Sequence, residues 1–402
     1  MPWREVCYME ERMRFAAAAL ADEESMSELC DQFGISRKTG YKWLARYAQC
    51  AVAGLLDRRR ARRTQAHALG ASEREMIVAL RGRHKCWGPR KLKAVLEREH
   101  PGRRFGAPST IGALLRRAGL SAVRRPRRRR AQGTALSVAM APNDVWCADF
   151  KGWFRTGDGR RCEPLTISDA YSRYLLECRI VGRTDAASVE PLFERAFRRF
   201  GQPLAIRTDN GAPFACGGTC GLTRLAVKWA ERGIRLERIE PGHPEQNGRH
   251  ERLHRTLKAE TLAPPAADAT TQQRRFDHFR REYNNLRPHQ ALGQRPPGEL
   301  YRRRTHPVKR ARRAWPYPTD WQLRRVRSNG EIRWRSRLLF VSEALVAKQV
   351  ALEQLGDERW RLWFADLALG VIDRGANRLR RERVGPRPDP LAQLPTADLL
   401  PM

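Results

Sequence analysis

Two aspartates and one glutamate stand in three separate motifs near the middle of this chain. Asp149 lies in VWCADFKGWF, Asp209 in IRTDNG and Glu251 in PGHPEQNGRHERLHRTLK. Three carboxylates that converge on one point can hold two divalent metal ions, an arrangement suited to in-line displacement at a phosphodiester. The three acids therefore indicate metal-dependent chemistry at a nucleic-acid backbone.

Both aspartates also have ordinary structural explanations. Asp149 lies in a strand pattern on the opposite face from Phe150, where a carboxylate is costly unless it is solvated, paired or metal-bound. Asp209 precedes Asn210-Gly211, and Asp-Asn-Gly alone signals a turn. Asp209 also follows an apolar strand, however, and α/β folds place ligand groups at the ends of such strands.

The third acid has two candidates. Glu245 lies 36 positions after Asp209 and Glu251 lies 42 positions after it. A candidate insertion around FACGGTCGL prevents this spacing from deciding between them. Glu245 stands near a helix start, where acids are common because of the helix dipole. We favour Glu251, which lies deeper in the helix and within about 60° of three basic residues that suit a phosphate. These are His254, Arg255 and Lys258.

The composition indicates a polyanion as partner. The net charge is +34, and phosphate neutralisation by such an excess gives affinity for nucleic acid regardless of sequence. An architectural or ribosome-associated protein would share this charge but not the three acids. Nine cysteines are scattered, and only Cys216 and Cys220 stand close together, so we expect thiols in a reducing cytosol and no structural zinc. The apolar run FAAAALA is too short for a membrane span, and no signal-peptide layout is present, so we expect a soluble protein.

The N-terminal segment SMSELCDQFGISRKTGYKWLARY has the pattern of a helix-turn-helix. Gly34 permits the turn, Ser36 is a good N-cap for the second helix, and Tyr41 and Trp43 belong to its expected apolar spacing. Three basic residues near the start of that helix would meet base edges or phosphates. They are Arg37, Lys38 and Lys42. An ordinary helical hairpin is the alternative.

A second helical unit and a basic segment follow. In PSTIGALLRRAGL, Ser109 is the expected helix cap and Gly119 the expected stop. The run RRPRRRR has arginine at six of seven positions, including Arg127 and Arg128. Because like charges and proline oppose folding, this is a linker, and we favour a strap across DNA phosphates over a solvated tether.

The order of elements from about residue 140 is three strands, a helix, a strand, a helix, a strand and a helix. This order predicts an RNase H-like α/β catalytic core, with N-terminal all-α helix-turn-helix units and a C-terminal small β-barrel. Trp334, Trp360 and Trp363 are expected mostly in the barrel core. The predicted divisions are 1–65 helix-turn-helix, 66–122 second helical DNA-binding unit, 123–139 basic linker, 140–305 core, 315–375 barrel and 376–402 disordered basic tail.

The motifs WCADF, TDNG and PGHPEQNGRHERLHRTLK, in this order, resemble those of bacterial insertion-sequence transposases of the retroviral-integrase (DDE) superfamily. The resemblance covers residues 140–300 and extends to the N-terminal helix-turn-helix. It implies that Asp149, Asp209 and Glu251 are the catalytic, metal-binding triad, and the segment 244–248 before Glu251 supports that choice. YNNLRPHQAL also resembles the family, and we interpret its Tyr283, Arg287 and His289 as packing or DNA-proximal residues. The N-terminus departs from retroviral integrases, because it lacks their zinc module.

The resemblance implies two Mg²⁺ ions, with Mn²⁺ as a substitute, and cleavage at a transposon end followed by strand transfer to target DNA. His243 is a candidate for orienting the phosphate, or else a loop residue. Double-stranded DNA is the expected partner, with a homo-oligomer assembled on it, in a cytoplasmic, nucleoid-associated setting without a membrane. Two alternatives are a non-enzymatic DNA-binding regulator with a relic integrase domain and a nuclease of the ribonuclease H type.

Overall fold

The structure is a computed structural model that describes residues 7–57, 69–121, 136–218, 220–239, 248–304, 315–373, 375 and 378–380. The chain divides into two compact units, Met1–Ala68 and Leu69–Met402. None of the helices in the described ranges is both long and apolar enough to cross a membrane. Several predicted features lie outside the described residues, namely Arg127 and Arg128 of the linker, His243, Glu245, and residues 381–402 of the tail.

The described part of the first unit contains three α-helices, α1 (Tyr8–Ala21), α2 (Met26–Gln32) and α3 (Arg37–Cys50), and a short 3-10 helix, Ala51–Leu55. Gly34 adopts a positive φ of 62° between α2 and α3, and the Ser36 side chain accepts a hydrogen bond from the Thr39 amide. At Gly40, a Cβ atom would lie 2.7 Å from Cys30 Sγ and 2.9 Å from a Phe15 ring carbon. The turn and the cap are thus as predicted, and glycine on α3 permits close packing against α1 and α2.

The second unit begins with α4 (Ala71–Arg83), α5 (Pro89–Glu99) and α6 (Pro108–Arg117). The prediction that Ser109 caps the last of these helices is wrong, because Ala107 occupies the N-cap position and Pro108 the first turn. Proline is favoured there, since its fixed φ suits a helix and its missing N–H needs no partner. Gly119 follows the helix with a φ of 69°, as predicted.

A six-stranded mixed sheet forms the centre of the second unit. Its strands are β1 (Val145–Phe150), β2 (Phe154–Arg155), β3 (Arg161–Asp169), β4 (Leu175–Val181), β5 (Ala205–Thr208) and β6 (Arg235–Arg238). β3 pairs antiparallel with β1, β2 and β4, whereas β5 pairs parallel with both β1 and β6. The hairpin-linked strands followed by helix-linked parallel strands confirm the predicted α/β core.

Helices cover both faces of this sheet. They are α7 (Ala186–Phe200), α8 (Arg224–Glu231), α9 (Gly248–Thr261), α10 (Ala269–Asn285) and the short α11 (Pro297–Leu300). Trp146 on β1 packs in one core with Phe193 of α7 and Trp229 of α8. Leu175 on β4 packs in another core with Leu257 of α9. The side chains of β1 therefore point alternately toward α7 and α8 or toward the face that α9 covers.

The C-terminal strands are β7 (Gln322–Arg325), β8 (Glu331–Trp334), β9 (Arg337–Phe340), β10 (Gln349–Gly356), β11 (Arg359–Phe364) and β12 (Leu367–Asp373). They form a four-stranded sheet in the order β12-β11-β10-β7 and a separate β8–β9 hairpin. Trp334, Trp360 and Trp363 are buried, as predicted. A closed barrel is not confirmed, because the described pairings leave the sheet open. Its apolar side chains share a core with Ala226 and Ala230 of α8, so a helix covers them instead.

Candidate active site and nucleic-acid-binding residues

Asp149 lies on β1, and Asp209 directly follows the neighbouring parallel strand β5. β1 and β5 pair in parallel as far as Cys147 and Arg207. Continuing that register by two residues brings Asp149 level with Asp209, and adjacent strands are about 4.8 Å apart. Level residues of a parallel pair point to the same face. The fold thus brings together two acids that are far apart in the sequence.

Asp149 lies beside a buried histidine of α9. His254 Nδ1 is 3.9 Å from Asp149 Oδ2, and His254 Nε2 is 2.8 Å from the hydroxyl of Thr166 on β3. That hydroxyl also lies 3.1 Å from the backbone carbonyl oxygen of Asp149. The three residues therefore form one polar group between the sheet and α9.

Burial sets the ionisation of this group. It lowers the pKa of His254 far below its usual range, and the nearby His250 and Lys151 lower it further. Burial thus favours a neutral imidazole where His254 faces Asp149. Burial also raises the pKa of Asp209, although the Gly211 amide donates a hydrogen bond to its carboxylate at 3.2 Å. A cation placed beside Asp209 would offset that cost of burial.

The third predicted acid has a different setting. Glu251 lies in the first turn of α9 with an exposed side chain. Within the described parts of the chain, no three His, Cys, Asp or Glu side chains are grouped closely enough to hold a metal ion. The structure thus brings Asp149 and Asp209 level but does not group Glu251 with them, and the triad stays a prediction.

The three basic residues predicted around Glu251 separate into two sets. Arg255 and Lys258 are exposed on α9, where they can meet a phosphate. His254 is buried against Asp149 and Thr166. His254 stands at the edge of the predicted helical face, and the packing of α9 on the sheet turns that edge inward. The angular estimate alone could not show this.

Tyr283 in the last turns of α10, and Arg287 and His289 just after that helix, are packing residues. Tyr283 and His289 contact each other edge to face, with ring centroids 4.7 Å apart. Burial raises the pKa of Tyr283 to about 12 and lowers that of His289 to about 3. Arg287 is buried and forms an ion pair with Glu260. Packing is therefore the better of the two interpretations offered by the sequence.

Helix α3 presents the predicted basic face. Arg37, Lys38 and Lys42 are all exposed. Tyr41 is also on this face, with 59% of its surface exposed, whereas Trp43 is buried. The sequence prediction placed Tyr41 with the apolar residues. Tyr41 lies four residues after Arg37, which is close to one helical turn. This spacing places Tyr41 on the same face of the helix as Arg37 and could have corrected the prediction.

Family models match both the N-terminal helices and the α/β core. Models described as Integrase core domain match residues 139–244 and 232–297. A Helix-turn-helix domain model matches residues 11–63, and a Homeodomain-like domain model matches residues 39–115.

Three relatives come from bacterial insertion elements. The uncharacterized 31.7 kDa protein of IS407 from Burkholderia multivorans is 31% identical over 229 residues, which cover 56% of this chain and 78% of that protein. The uncharacterized 39.2 kDa protein of IS476 from Xanthomonas euvesicatoria is 30% identical over 228 residues, or 56% of this chain and 63% of that protein. The transposase InsD of IS2 from Escherichia coli is 28% identical over 171 residues, or 40% of this chain and 54% of that protein.

The matches to the IS476 and IS2 proteins span less than two thirds of those relatives, whereas the match to the IS407 protein spans more.

An integrase-type α/β core that follows helix-turn-helix regions defines the class of this protein. The chain belongs to the bacterial insertion-sequence transposases of the retroviral-integrase superfamily.

Proposed function

We propose that this chain cleaves DNA at the ends of an insertion sequence and joins the exposed 3′ ends to target DNA. The observation that best supports this is the position of Asp149 on β1 and of Asp209 directly after β5, the parallel strand that pairs with β1. In the proposed site, Asp149, Asp209 and Glu251 are the ligands of two Mg²⁺ ions, with Mn²⁺ as a substitute. When bound, such ions activate the attacking oxygen and stabilise the leaving oxygen.

The donor set fits this cofactor. Carboxylate oxygens are the ligands that Mg²⁺ prefers. The pKa of Asp209 is raised by burial, so a neighbouring divalent charge would stabilise its ionised form. Glu251 is exposed in the first turn of α9 and supplies the third carboxylate in this proposal.

The remaining roles fall to side chains around the acids. His254 and Thr166 orient Asp149, while the exposed Arg255 and Lys258 hold the phosphate that is attacked. A 3′-hydroxyl of the DNA is the second nucleophile, so no covalent bond forms between DNA and protein. On α3, Arg37, Lys38 and Lys42 bind the duplex near the element end.

The partners follow from the reaction. Two element ends must be joined to one target, so we propose that a homo-oligomer assembles on double-stranded DNA. The setting is the cytoplasm, in association with the nucleoid. The net charge of +34 supports a protein that stays bound to DNA between steps.

Replacement of Asp209 tests the proposal directly. Asp209→Asn keeps the size of the side chain and removes its charge, so it should retain binding to end DNA but lose Mg²⁺-dependent strand transfer. Binding is measured by fluorescence anisotropy and transfer by gel analysis of joined products. Asp320→Asn, at an exposed position in the C-terminal sheet region, is the control and should behave as wild type. Strand transfer by Asp209→Asn would reject the assignment.

A second pair of variants identifies the third acid. Glu251→Gln should abolish strand transfer, whereas Glu245→Gln should leave it largely intact. The opposite result would transfer the role to Glu245 while leaving the roles of both aspartates unchanged.

A further inference from the structure

Trp153 stands exposed on the hairpin that follows Asp149. It directly precedes β2, and 57% of its surface is open to solvent. Its neighbour Phe154 points inward and contacts Phe276 of α10 edge to face, with ring centroids 6.1 Å apart. Because successive side chains of a strand alternate, Trp153 and Arg155 share the outer face. Among the tryptophans that the structure describes, Trp153 is the one that is exposed.

Two arginines flank the Trp153 ring. The guanidinium carbons of Arg161 and Arg155 lie 5.2 and 5.9 Å from its centroid. Arg155 and Arg161 are also cross-strand partners in the β2–β3 pair. Arg155 donates a hydrogen bond to the Gly159 carbonyl, and Arg161 forms an ion pair with Glu163. Like charges placed opposite each other are unfavourable in a sheet, and an anion bound between them would remove that cost.

We propose that Trp153, Arg155 and Arg161 form a DNA-contact surface just past the end of β1, on which an unpaired base stacks against Trp153 while the arginines bind its phosphate. Every base has a flat face that an aromatic ring can stack on, whatever the sequence. Arginine binds phosphate with paired N–H donors and also stacks on aromatic rings. The inference rests on the proposed function, because it assigns this surface to the DNA that enters the same site.

The position in the chain supports that assignment. Trp153 comes four residues after Asp149, so at most about 14 Å of extended chain separates them, roughly the length of a few nucleotides. Thr166, the cross-strand partner of Asp149, and Arg161 lie on opposite faces of β3, so the unpaired DNA would pass round the end of β1 to reach the ring.

A second copy of this chain is a less suitable occupant. A two-fold interface places the same patch of both copies face to face. Arg155 and Arg161 of one copy would then meet the same arginines of the other, and such like-charge contacts are strongly unfavourable. DNA supplies the opposite charge, so the charge of this surface favours DNA.

The test uses the full chain and a duplex of the element end that carries 2-aminopurine in a short unpaired 3′ terminus. Without Mg²⁺, wild type should quench this base on binding, because stacking quenches its fluorescence. Trp153→Ala should lose the quenching and bind the unpaired terminus roughly 10- to 100-fold more weakly, the range expected for loss of one aromatic stack. Trp153→Phe should restore most of both signals.

Tyr171→Ala removes another partly exposed aromatic of the same unit and should leave both signals unchanged. A fully paired duplex should bind wild type and Trp153→Ala equally, since the helix-turn-helix holds it. Arg161→Gln should reduce the slope of log affinity against log salt concentration by about one. Unchanged melting temperatures establish that the variants fold.

Equal quenching and equal affinity in wild type and Trp153→Ala would overturn the inference. A loss of self-association in Trp153→Ala, measured by sedimentation while DNA binding stays intact, would also overturn it. That result would make this surface a contact between two copies of the chain. Because the readout needs neither Mg²⁺ nor turnover, a wild-type protein that quenches but never joins DNA would count against the proposed function alone.

Discussion

The Nδ1 atom of His254 lies 3.9 Å from a carboxylate oxygen of Asp149, and its Nε2 atom lies 2.8 Å from the Thr166 hydroxyl. Since burial keeps the imidazole neutral, it has a single N–H. The Thr166 hydroxyl donates its one hydrogen to the backbone carbonyl of Asp149, so it accepts from the Nε2–H of His254. The lone pair of Nδ1 then faces the Asp149 carboxylate. His254 is therefore a positioning residue that acts on Asp149 through Thr166.

Replacing His254 should weaken the response to metal more than the binding of DNA. We expect His254→Gln to lower strand transfer about 10- to 100-fold at limiting Mg²⁺, because partners of metal-binding side chains have effects of that size. Raising the Mg²⁺ concentration should recover part of the loss, and anisotropy with end DNA should not change. His278→Gln is the control, since that side chain is 65% exposed. An unaltered Mg²⁺ dependence in His254→Gln would remove His254 from this role.

The pair Arg287–Glu260 should contribute to stability rather than to catalysis. Their side chains are 8% and 22% exposed. Arg287→Met should lower the free energy of unfolding by about 3 kcal/mol, because it leaves Glu260 with an uncompensated, partly buried charge. The double variant Arg287→Met/Glu260→Gln should regain much of this loss. Urea denaturation followed by circular dichroism measures both effects. A double variant no more stable than the single one would show that packing by Arg287 matters more than its charge.

Lys91 on α5 should make the free energy of unfolding change with pH in the alkaline range. Burial lowers its pKa from 10.5 to about 8, with the positive charge of Arg287 lowering it further and Glu260 opposing. Between these two values the unfolded chain binds more protons than the folded chain, so this group makes stability rise with pH over that window. Below about pH 8, Lys91 is charged in the folded chain as well, and burial of this charge lowers the free energy of unfolding by its full amount.

Lys91→Met removes that contribution. At pH 7 the variant should be more stable than wild type by on the order of 1 kcal/mol, and the difference should shrink as the pH approaches 10. Thermal melting at a series of pH values measures this, with Lys85→Met at an exposed position as the control. A difference that stays constant across the series would mean that Lys91 titrates normally.

The sequence predicted those parts of the fold that depend on local patterns. At α7, the Asp185 side chain accepts a hydrogen bond from the Ser188 amide and Gly201 ends the helix with a positive φ, and both residue types are ordinary helix-boundary signals. The order of strands followed from alternating apolar residues and the intervening helices. Such signals are short-range, so one sequence suffices to reveal them.

The relationships at the site depend on tertiary contacts, and the sequence could not give them. Asp149 and Asp209 were each placed on or after a strand, but only the β1–β5 register shows that they are level. His254 was expected on an exposed face, yet it is buried because α9 packs that edge on the sheet. The open C-terminal sheet depends in the same way on apolar cover from α8.

The exposed Tyr41 leads to a prediction about sequence recognition. It shares the outer face of α3 with Lys38 and Lys42, whereas Gly40 and Trp43 are buried on the inner face of that helix. Lysines bind phosphates whatever the bases are, whereas a ring and hydroxyl at the base edges can distinguish one sequence from another. We expect Tyr41→Ala to reduce the preference for the element end over a scrambled duplex by about 10-fold, the effect of losing one base contact.

The salt dependence separates the two roles. Tyr41→Ala should leave the slope of affinity against salt unchanged, while Lys38→Ala should weaken binding to both duplexes and reduce that slope by about one. Tyr8→Ala, at a position that is 80% exposed on α1, is the matched control and should match wild type in both respects. If Tyr41→Ala instead weakened both duplexes equally, the tyrosine would contribute affinity alone, and the sequence preference would have to come from other residues of the chain.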